Sequence, residues 1–410
     1  MKVLVLNAGS STLKFQVIDT GQGASGGAPD RKLARGLVER IGGDSSSDFE
    51  LTGAAREKES GRVDDHAAAV RRVLAWLESK PELRDFEAVG HRVVHGGDRF
   101  TSAVVIDDAV FDRLRELSDL APLHNPASLA GIRAASALVK SVPAVAVFDT
   151  SFHHTIPEHA FTYAIPHELA AKHRIRRYGF HGLAHQYAAL RYSELAAAPL
   201  DRTALITLHL GNGCSACAIR EGKSVDTSMG FTPLEGLVMG TRSGDIDPAI
   251  VAYLSREASA SAAEVEAWLN DRSGLLGISG ESSDMRDLFG KLDRNPRSRL
   301  AIEVFCYRAR KYVGAYLAAL GGADAIVFSG GIGEHCPPIR EKICSGMRWC
   351  GLELDREANA GVVGGEGCIS GAGSRLACYV VRSDEESLIA RETARLVSGE
   401  HRSLETGRVR

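Results

Sequence analysis

The chain has 410 residues, with 49 Lys and Arg against 52 Asp and Glu, a formal charge of -3, and 44% hydrophobic side chains. At about 150 residues per domain, that length predicts two domains with material for buried cores. The even charge balance argues against a nucleic-acid partner held through its phosphates, and no apolar run approaches the roughly 20 residues that would cross a membrane.

In chain order, Val3 to Leu6, Leu13 to Ile18 and Leu33 to Val38 read as strands. In the second, Leu13, Phe15 and Val17 alternate with Lys14 and Gln16, the period of a strand with one buried face. The opening run stops at Asn7, too short for the core of an export signal, so a cytoplasmic protein is expected. The Gly- and Ser-rich segments 20–30 and 42–62 read as exposed loops. Val70, Val73, Leu74 and Leu77 mark 67–77 as a helix with one buried stripe. Then come strand 88–94, helices 110–120 and 127–139, and strand 144–148, an α/β succession behind an opening meander.

A domain boundary falls near 150, giving an N-terminal domain 1–150 and a C-terminal domain 151–385. From Ile206, ITLHLGNGCSACAI repeats the opening LVLNAGSSTLKFQVI as strand, turn and strand. Two such units roughly 200 residues apart predict a duplicated domain with a cleft between the copies. Helices 262–269 and 299–320 follow, then strand 325–328 runs into SGGIGEH. The last helix, 386–398, is a candidate to pack back onto the first domain.

Three turns, NAGSS, HLGNG and SGGIGEH, each end an apolar strand. Gly-rich turns leave backbone N–H groups bare, and several converging make a nest for phosphate oxygens, although each alone also serves as an ordinary tight turn. There is no Walker loop, and GGIGE does not satisfy the dinucleotide fingerprint GxGxxG. Polar residues among apolar ones, His91, Arg92 and His95, then His124, Asp149, His181 and Arg242, would suit an anionic acceptor and phosphoryl transfer, which needs positive charge more than covalent help. The carboxylates Asp245, Asp247, Glu334, Asp384, Glu385 and Glu386 are candidate Mg2+ ligands. Asp247 reads better as a helix cap, and Glu385 opens a helix, where an acidic group is favourable without any metal. Cys214 and Cys217 spell CxxC, but in a strand residues three apart face opposite sides, which argues against a shared metal or disulfide. The basic cluster Arg174, Arg176, Arg177 reads as a solvated face.

Taken together, LNAGSSTLKF, GHRVVHGG, LAPLHNP, VFDTSFH, YGFHG, HLGNG, DTSMGFTPLEGLVMGTRSGDIDP, GISGESSDMRD, VFSGGIGEH and EESLIARET resemble, in order, the acetate kinase family. The resemblance spans nearly the whole chain. It implies duplicated actin-like, ribonuclease H-like α/β domains, each a sheet flanked by helices, and transfer of the ATP γ-phosphoryl group to acetate, giving acetyl phosphate and ADP. It further implies a Mg2+ cofactor, with Mn2+ able to substitute, and a homodimer. By motif, Asp149, His181, Arg92 and Arg242 match the family's catalytic positions. Asn7 and Glu385 match its metal ligands, and Ser10, Thr12 and Lys14 its phosphate end. Val94, Leu123, His124, Phe180 and Pro233 match the acceptor pocket, with Arg92 beside it. His209, Leu210, Gly211, Asn212, Gly213, Asp284, Met285, Arg286, Gly331, Ile332, Gly333, Glu334 and His335 match the nucleotide segments; position 335 is His where the family pattern has Asn. A propionate or butyrate kinase of the same family is the nearest alternative, and a sugar kinase-like phosphotransferase a more remote one.

Overall fold

The structure, a computed structural model, describes residues 1–9, 11–21, 30–119, 125–139 and 141–399. The chain divides into two compact units, one formed by Met1–Ser151 with the segment from Asp384 on, the other by Phe152–Ser383.

The first unit holds strands β1 (Lys2–Ala8), β2 (Thr12–Asp19), β3 (Arg31–Glu39), β4 (Gly43–Leu51), β5 (Glu57–Val63), β6 (Ala88–Val93), β7 (Val104–Val105) and β8 (Ala144–Phe148). They form one sheet in the order β5-β4-β3-β2-β1-β6-β8-β7. β1, β2 and β3 are antiparallel neighbours, whereas β1, β6 and β8 run parallel. On one face Leu4, Leu6, Leu13, Phe15 and Val17 pack with Phe49, Trp76 and Leu77. Phe15, Phe49 and Trp76 form a ring cluster with centroids 5.2 to 5.8 Å apart. On the same face, toward β8, Val93, Leu129, Ile132, Ala146 and Phe148 make a second core.

The expected loop 42–62 is instead mostly the hairpin β4–β5. β4 alternates as a strand should, but two of its inward positions are Ser45 and Ser47, so the apolar signal is missing. β5 is exposed at every position but Val63, a charged edge that discourages pairing with another chain. Expected loop residues 22–29 lie outside the described residues. The helix expected at 110–120 runs Asp108–Glu116, capped by Asp107, and tightens into a 3-10 turn at Leu117–Asp119.

The second unit holds β9 (Ala204–Leu210), β10 (Cys214–Arg220), β11 (Lys223–Thr227), β12 (Ala325–Ser329), β13 (Gly367–Cys368) and β14 (Ala377–Val380), in the order β11-β10-β9-β12-β14-β13. Leaving out β4, β5, β7 and β13, β3-β2-β1-β6-β8 and β11-β10-β9-β12-β14 are the same order, with the same pattern of antiparallel and parallel pairs. This is the duplicated ribonuclease H-like fold. Helices Gly182–Ala196 and Pro296–Leu320 pack on the second sheet, where Phe152, Ala188, Tyr192, Leu205, Cys217 and Val327 share a core.

The last helix, Glu385–Val397, belongs to the first unit and packs on β6. Gly90 permits this approach: a Cβ there would lie 2.5 Å from Thr393 Oγ1 and 2.9 Å from Ile389. No helix among the described residues is long and apolar enough to cross a membrane.

Candidate functional site

In the first unit the charged residues gather at the carboxyl ends of β1, β6 and β8, where α/β sheets open to ligands. Asn7 lies near the end of β1, Arg92 near the end of β6, and Asp149 directly after β8. Arg92 Nε donates to Asp149 Oδ1 at 3.1 Å, its Nη2 donates to Oδ2, and its Nη1 donates to Asn7 Oδ1 at 3.2 Å. Asp149 is almost fully buried and also donates its backbone N–H to Val93 O. The last helix delivers Glu385, whose Oε2 stands 3.9 Å from Arg92 Nε. Burial opposes the Arg92 charge, but Asp149 and Glu385 outweigh it and raise its pKa. Desolvation, then the negative neighbours Asp149 and Glu386, push the Glu385 carboxyl above the ordinary carboxylate range despite Arg92 and Lys14. A divalent cation would relieve that crowding, and Asn7, Asp149 and Glu385 offer the hard oxygens Mg2+ prefers. No group of three or more His, Cys, Asp or Glu side chains among the described residues is placed to hold a metal.

The turn after β1 is held from outside the motif: His66 Nε2 lies 2.7 Å from Gly9 O, and Gly9 N donates to Thr12 O. Lys14 sits opposite Asn7 in the β1–β2 register. Val94, one residue past β6, is buried. Ser10, Leu123 and His124 lie outside the described residues.

In the second unit the Leu210 to Cys214 turn joins β9 and β10, closed by Gly211 N donating to Gly213 O. Gly240 N donates to Asn212 O and ties the turn to the loop carrying Arg242. His181 starts helix Gly182–Ala196 with φ 55, a left-handed conformation that costs a non-glycine residue about 1 kcal/mol. Its Nδ1 lies 2.9 Å from Ser215 Oγ. Arg242 Nη1 donates to Pro233 O at 3.2 Å and touches Met239 Sδ. Among the described residues no carboxylate forms a salt bridge with Arg242, and burial lowers its pKa against the weaker opposing pull of Cys214 and Asp271. A Cβ placed on Gly213 would stand 3.3 Å from His181 Nε2 and 3.8 Å from Arg242 Nη1, so both side chains converge on one small space beside the turn. Phe180 is buried, its carbonyl 3.1 Å from His153 Nε2.

The segment Gly331 to His335 forms a short helix, Gly330–His335, after β12. The fully buried Arg340 guanidinium donates to the carbonyls of Gly333, Glu334, Asn359 and Val362. Asp284 caps the helix Met285–Phe289, its carboxylate drawn down to about 2 chiefly by the Arg286 side chain. His209 Nδ1 lies 3.3 Å from Ser329 Oγ.

Most rival carboxylates have other work. Asp245 accepts from Gly236 N and Tyr312 Oη, and Asp247 from Ala249 N at a helix start. Glu334 accepts from Ser383 N and Oγ. Of the CxxC cysteines, Cys214 Sγ donates to Gly211 O and Cys217 Sγ lies beside Ser224 Oγ. The basic cluster is not wholly solvated: Arg177 turns inward to Glu235 and the carbonyls of Thr227, Ser228 and Met229. Sequence reasoning missed His66, Ser215 and His185. The signal for the last was the four-residue spacing from His181 on one helix face.

Two sheets of one order, with phosphate-type turns and charged groups at the strand ends, define the class: a phosphotransferase of the duplicated ribonuclease H-like fold. The chain matches the Acetokinase family over residues 2–391. It is 53% identical to the acetate kinase of Solibacter usitatus (strain Ellin6076), covering 98% of this chain and 99% of that one. It is 41% identical to the crystal structure of Porphyromonas gingivalis acetate kinase, with a TM-score of 0.89 and 97% and 99% of the two chains covered. A propionate kinase from Francisella tularensis subsp. tularensis SCHU S4 matches at 39% identity and a TM-score of 0.89, covering 96% and 99%. The chain belongs to the acetokinase family, enzymes that phosphorylate a carboxyl group.

Proposed function

We propose that this protein transfers the γ-phosphoryl group of ATP to acetate, reversibly and by direct in-line displacement, giving acetyl phosphate and ADP. The observation that carries the reading is Arg242: a desolvated guanidinium with no carboxylate in salt-bridge contact among the described residues, Asp271 acting on it only at longer range, that stands with His181 beside Gly213. A buried cation left unpaired is costly, so such a site is built for an anion. Acetate is ionised at neutral pH, and no base has to take a proton from it. Arg92 and Arg242 offset repulsion between carboxylate and phosphoryl group, and His181 donates to the equatorial oxygens. Asp149 orients Arg92 and the metal ligands. Mg2+, when bound, neutralises phosphate charge; Asn7 and Glu385 would hold it, with Asp149 ordering its waters.

The acceptor pocket is assigned to Val94 and Phe180, both buried, with Pro233, and to Leu123 and His124. The turn at His209 to Gly213, the segment Gly331 to His335 and Asp284 to Arg286 are assigned to the nucleotide, and Ser10, Thr12 and Lys14 to its phosphates. A cytoplasmic homodimer completes the proposal, and the exposed Tyr253, Tyr307 and Trp349 are candidates for the contact. The similarity to a propionate kinase favours propionate as a second acceptor. The test is hydroxylamine trapping of acyl phosphate with ATP, Mg2+ and acetate, propionate or butyrate. Hydroxamate formed with the highest kcat/KM on acetate supports the reading. A propionate maximum makes the protein a propionate kinase, and ATP turnover without any hydroxamate overturns both.

A further inference from the structure

His181 and His185 lie one turn apart on the helix that His181 starts, with Ser215 between them. Ser215 Oγ is 2.9 Å from His181 Nδ1 and 2.8 Å from His185 Nε2, and His185 Nδ1 is 2.7 Å from Thr207 Oγ1. Thr207, Ser215 and His185 are 0% exposed, so bulk water offers them no alternative. The three contacts are linked, because a hydroxyl has one proton to give: if Ser215 donates to one ring, it accepts from the other.

Burial, reinforced by His153 and His209, holds the His185 pKa well below its ordinary value, so the ring carries one N–H and one lone pair. Two consistent arrangements follow. In one, Thr207 donates to His185 Nδ1, His185 Nε2 donates to Ser215, and Ser215 donates to His181 Nδ1; neutral His181 then carries its proton on Nε2. In the other every bond is reversed, and His181 Nδ1 donates to Ser215. The nitrogen toward Gly213 and Arg242 is Nε2, so its donor capacity is tied to what happens at Nδ1.

We propose that His185 is a positioning residue for phosphoryl transfer: acting through Ser215, it fixes the ring of His181 and keeps a hydrogen-bond partner on Nδ1, so that Nε2 faces the transferred group. Thr207 anchors the far end of the relay. This inference rests on the role proposed for His181.

The test compares His181→Ala, Ser215→Ala, His185→Phe, His185→Gln and the double variant Ser215→Ala with His185→Phe. Ser215→Ala and His185→Phe are each expected to lower kcat by about tenfold or more, with KM for ATP and acetate within about twofold of wild type. The double variant is expected to be no worse than Ser215→Ala, since His185 acts through that hydroxyl. His185→Gln, whose amide reaches Ser215, recovers most of the loss. Wild-type kcat in Ser215→Ala and His185→Phe, or additive losses in the double variant, overturns the relay while an inactive His181→Ala leaves the role of His181 standing. Near-normal His181→Ala sinks that role itself. Should His185→Phe fail to fold, nitrogen NMR of labelled histidine in the wild-type enzyme decides: one fixed tautomer for His181 supports the relay, and averaged shifts like those of free imidazole refute it.

Discussion

Replacing Gly213 with Ala tests the geometry with a single methyl group. Gly213 does not have a positive φ, so an L-residue fits the backbone there. The new Cβ would stand 3.2 Å from His181 Cε1 and 3.3 Å from Nε2, inside ordinary van der Waals contact by a few tenths of an ångström. The imidazole has little freedom to yield, because its Nδ1 is tied to Ser215 and its backbone to a helix start. A displacement of about 0.5 Å, on a scale where about 1 Å costs about a hundredfold, predicts a kcat near a tenth of wild type. Stability should change by less than about 1 kcal/mol, since the stiffer unfolded chain offsets the local contact. Steady-state kinetics with acetyl-hydroxamate detection, paired with a thermal melt, reads both quantities. Gly314→Ala is the control: nothing lies within 4 Å of its Cβ, and in helix Pro296–Leu320 the substitution should add about 0.5–1 kcal/mol of stability without touching kcat. Wild-type kcat in Gly213→Ala would falsify the placement of His181 Nε2 at the reacting group; a loss that tracks a collapsed melt would reduce it to a folding defect.

Arg242→Ala should lose about 3 kcal/mol or more of transition-state stabilisation in kcat/KM, and Arg242→Lys should recover little because the planar fork is gone; near-normal activity in a folded Arg242→Ala enzyme contradicts the assignment. Val94→Ala should raise kcat/KM for propionate relative to acetate by opening the pocket, and an unchanged ratio removes Val94 from it. Stability should fall as pH drops from about 6.5 toward 4, because burial depresses the folded pKa of His91 and His153 to about 4. The unfolded chain then binds more protons across that window, each histidine contributing a slope of about 1.4 kcal/mol per pH unit, while above about 6.5 the contribution is complete. A melting temperature that stays flat or rises from pH 7 to 5 rules this out.

The fold was legible where burial leaves an apolar rhythm. Leu13, Phe15 and Val17 announce β2, and the pairing of LVLNAGSS with ITLHLGNG announces the duplication that the two sheets display as one strand order. It failed at β4, because a strand needs its inward side chains small and satisfied, not necessarily apolar. Ser45 Oγ donates to Glu39 O, and Ser47 Oγ accepts from Arg72. A serine-rich segment therefore reads as a loop unless the partner strand is known.

The candidate site divides along a similar line. Residues in contiguous blocks at strand ends, Asn7, Arg92, Asp149 and the turn through Gly213, could be found because a strand end is a local property of the sequence. The residues that orient them could not, because each reaches across the chain: His66 to Gly9 over 57 residues, Ser215 to His181 over 34 and Arg340 to Asn359 over 19. Their chemistry gives no motif, since a serine in a strand or an arginine in a helix is ordinary until the acceptor it meets is known. Only periodicity carries a hint. Thr207 and His209 share one face of β9, His209 pairs across the ladder with Ser215, and His181 and His185 share one helix face. These polar positions recur at the spacing of a buried stripe, where lone hydroxyls and imidazoles would each be left unsatisfied. A polar residue at such a position needs a partner at another, and here the partners are one another, a pairing that only the fold reveals.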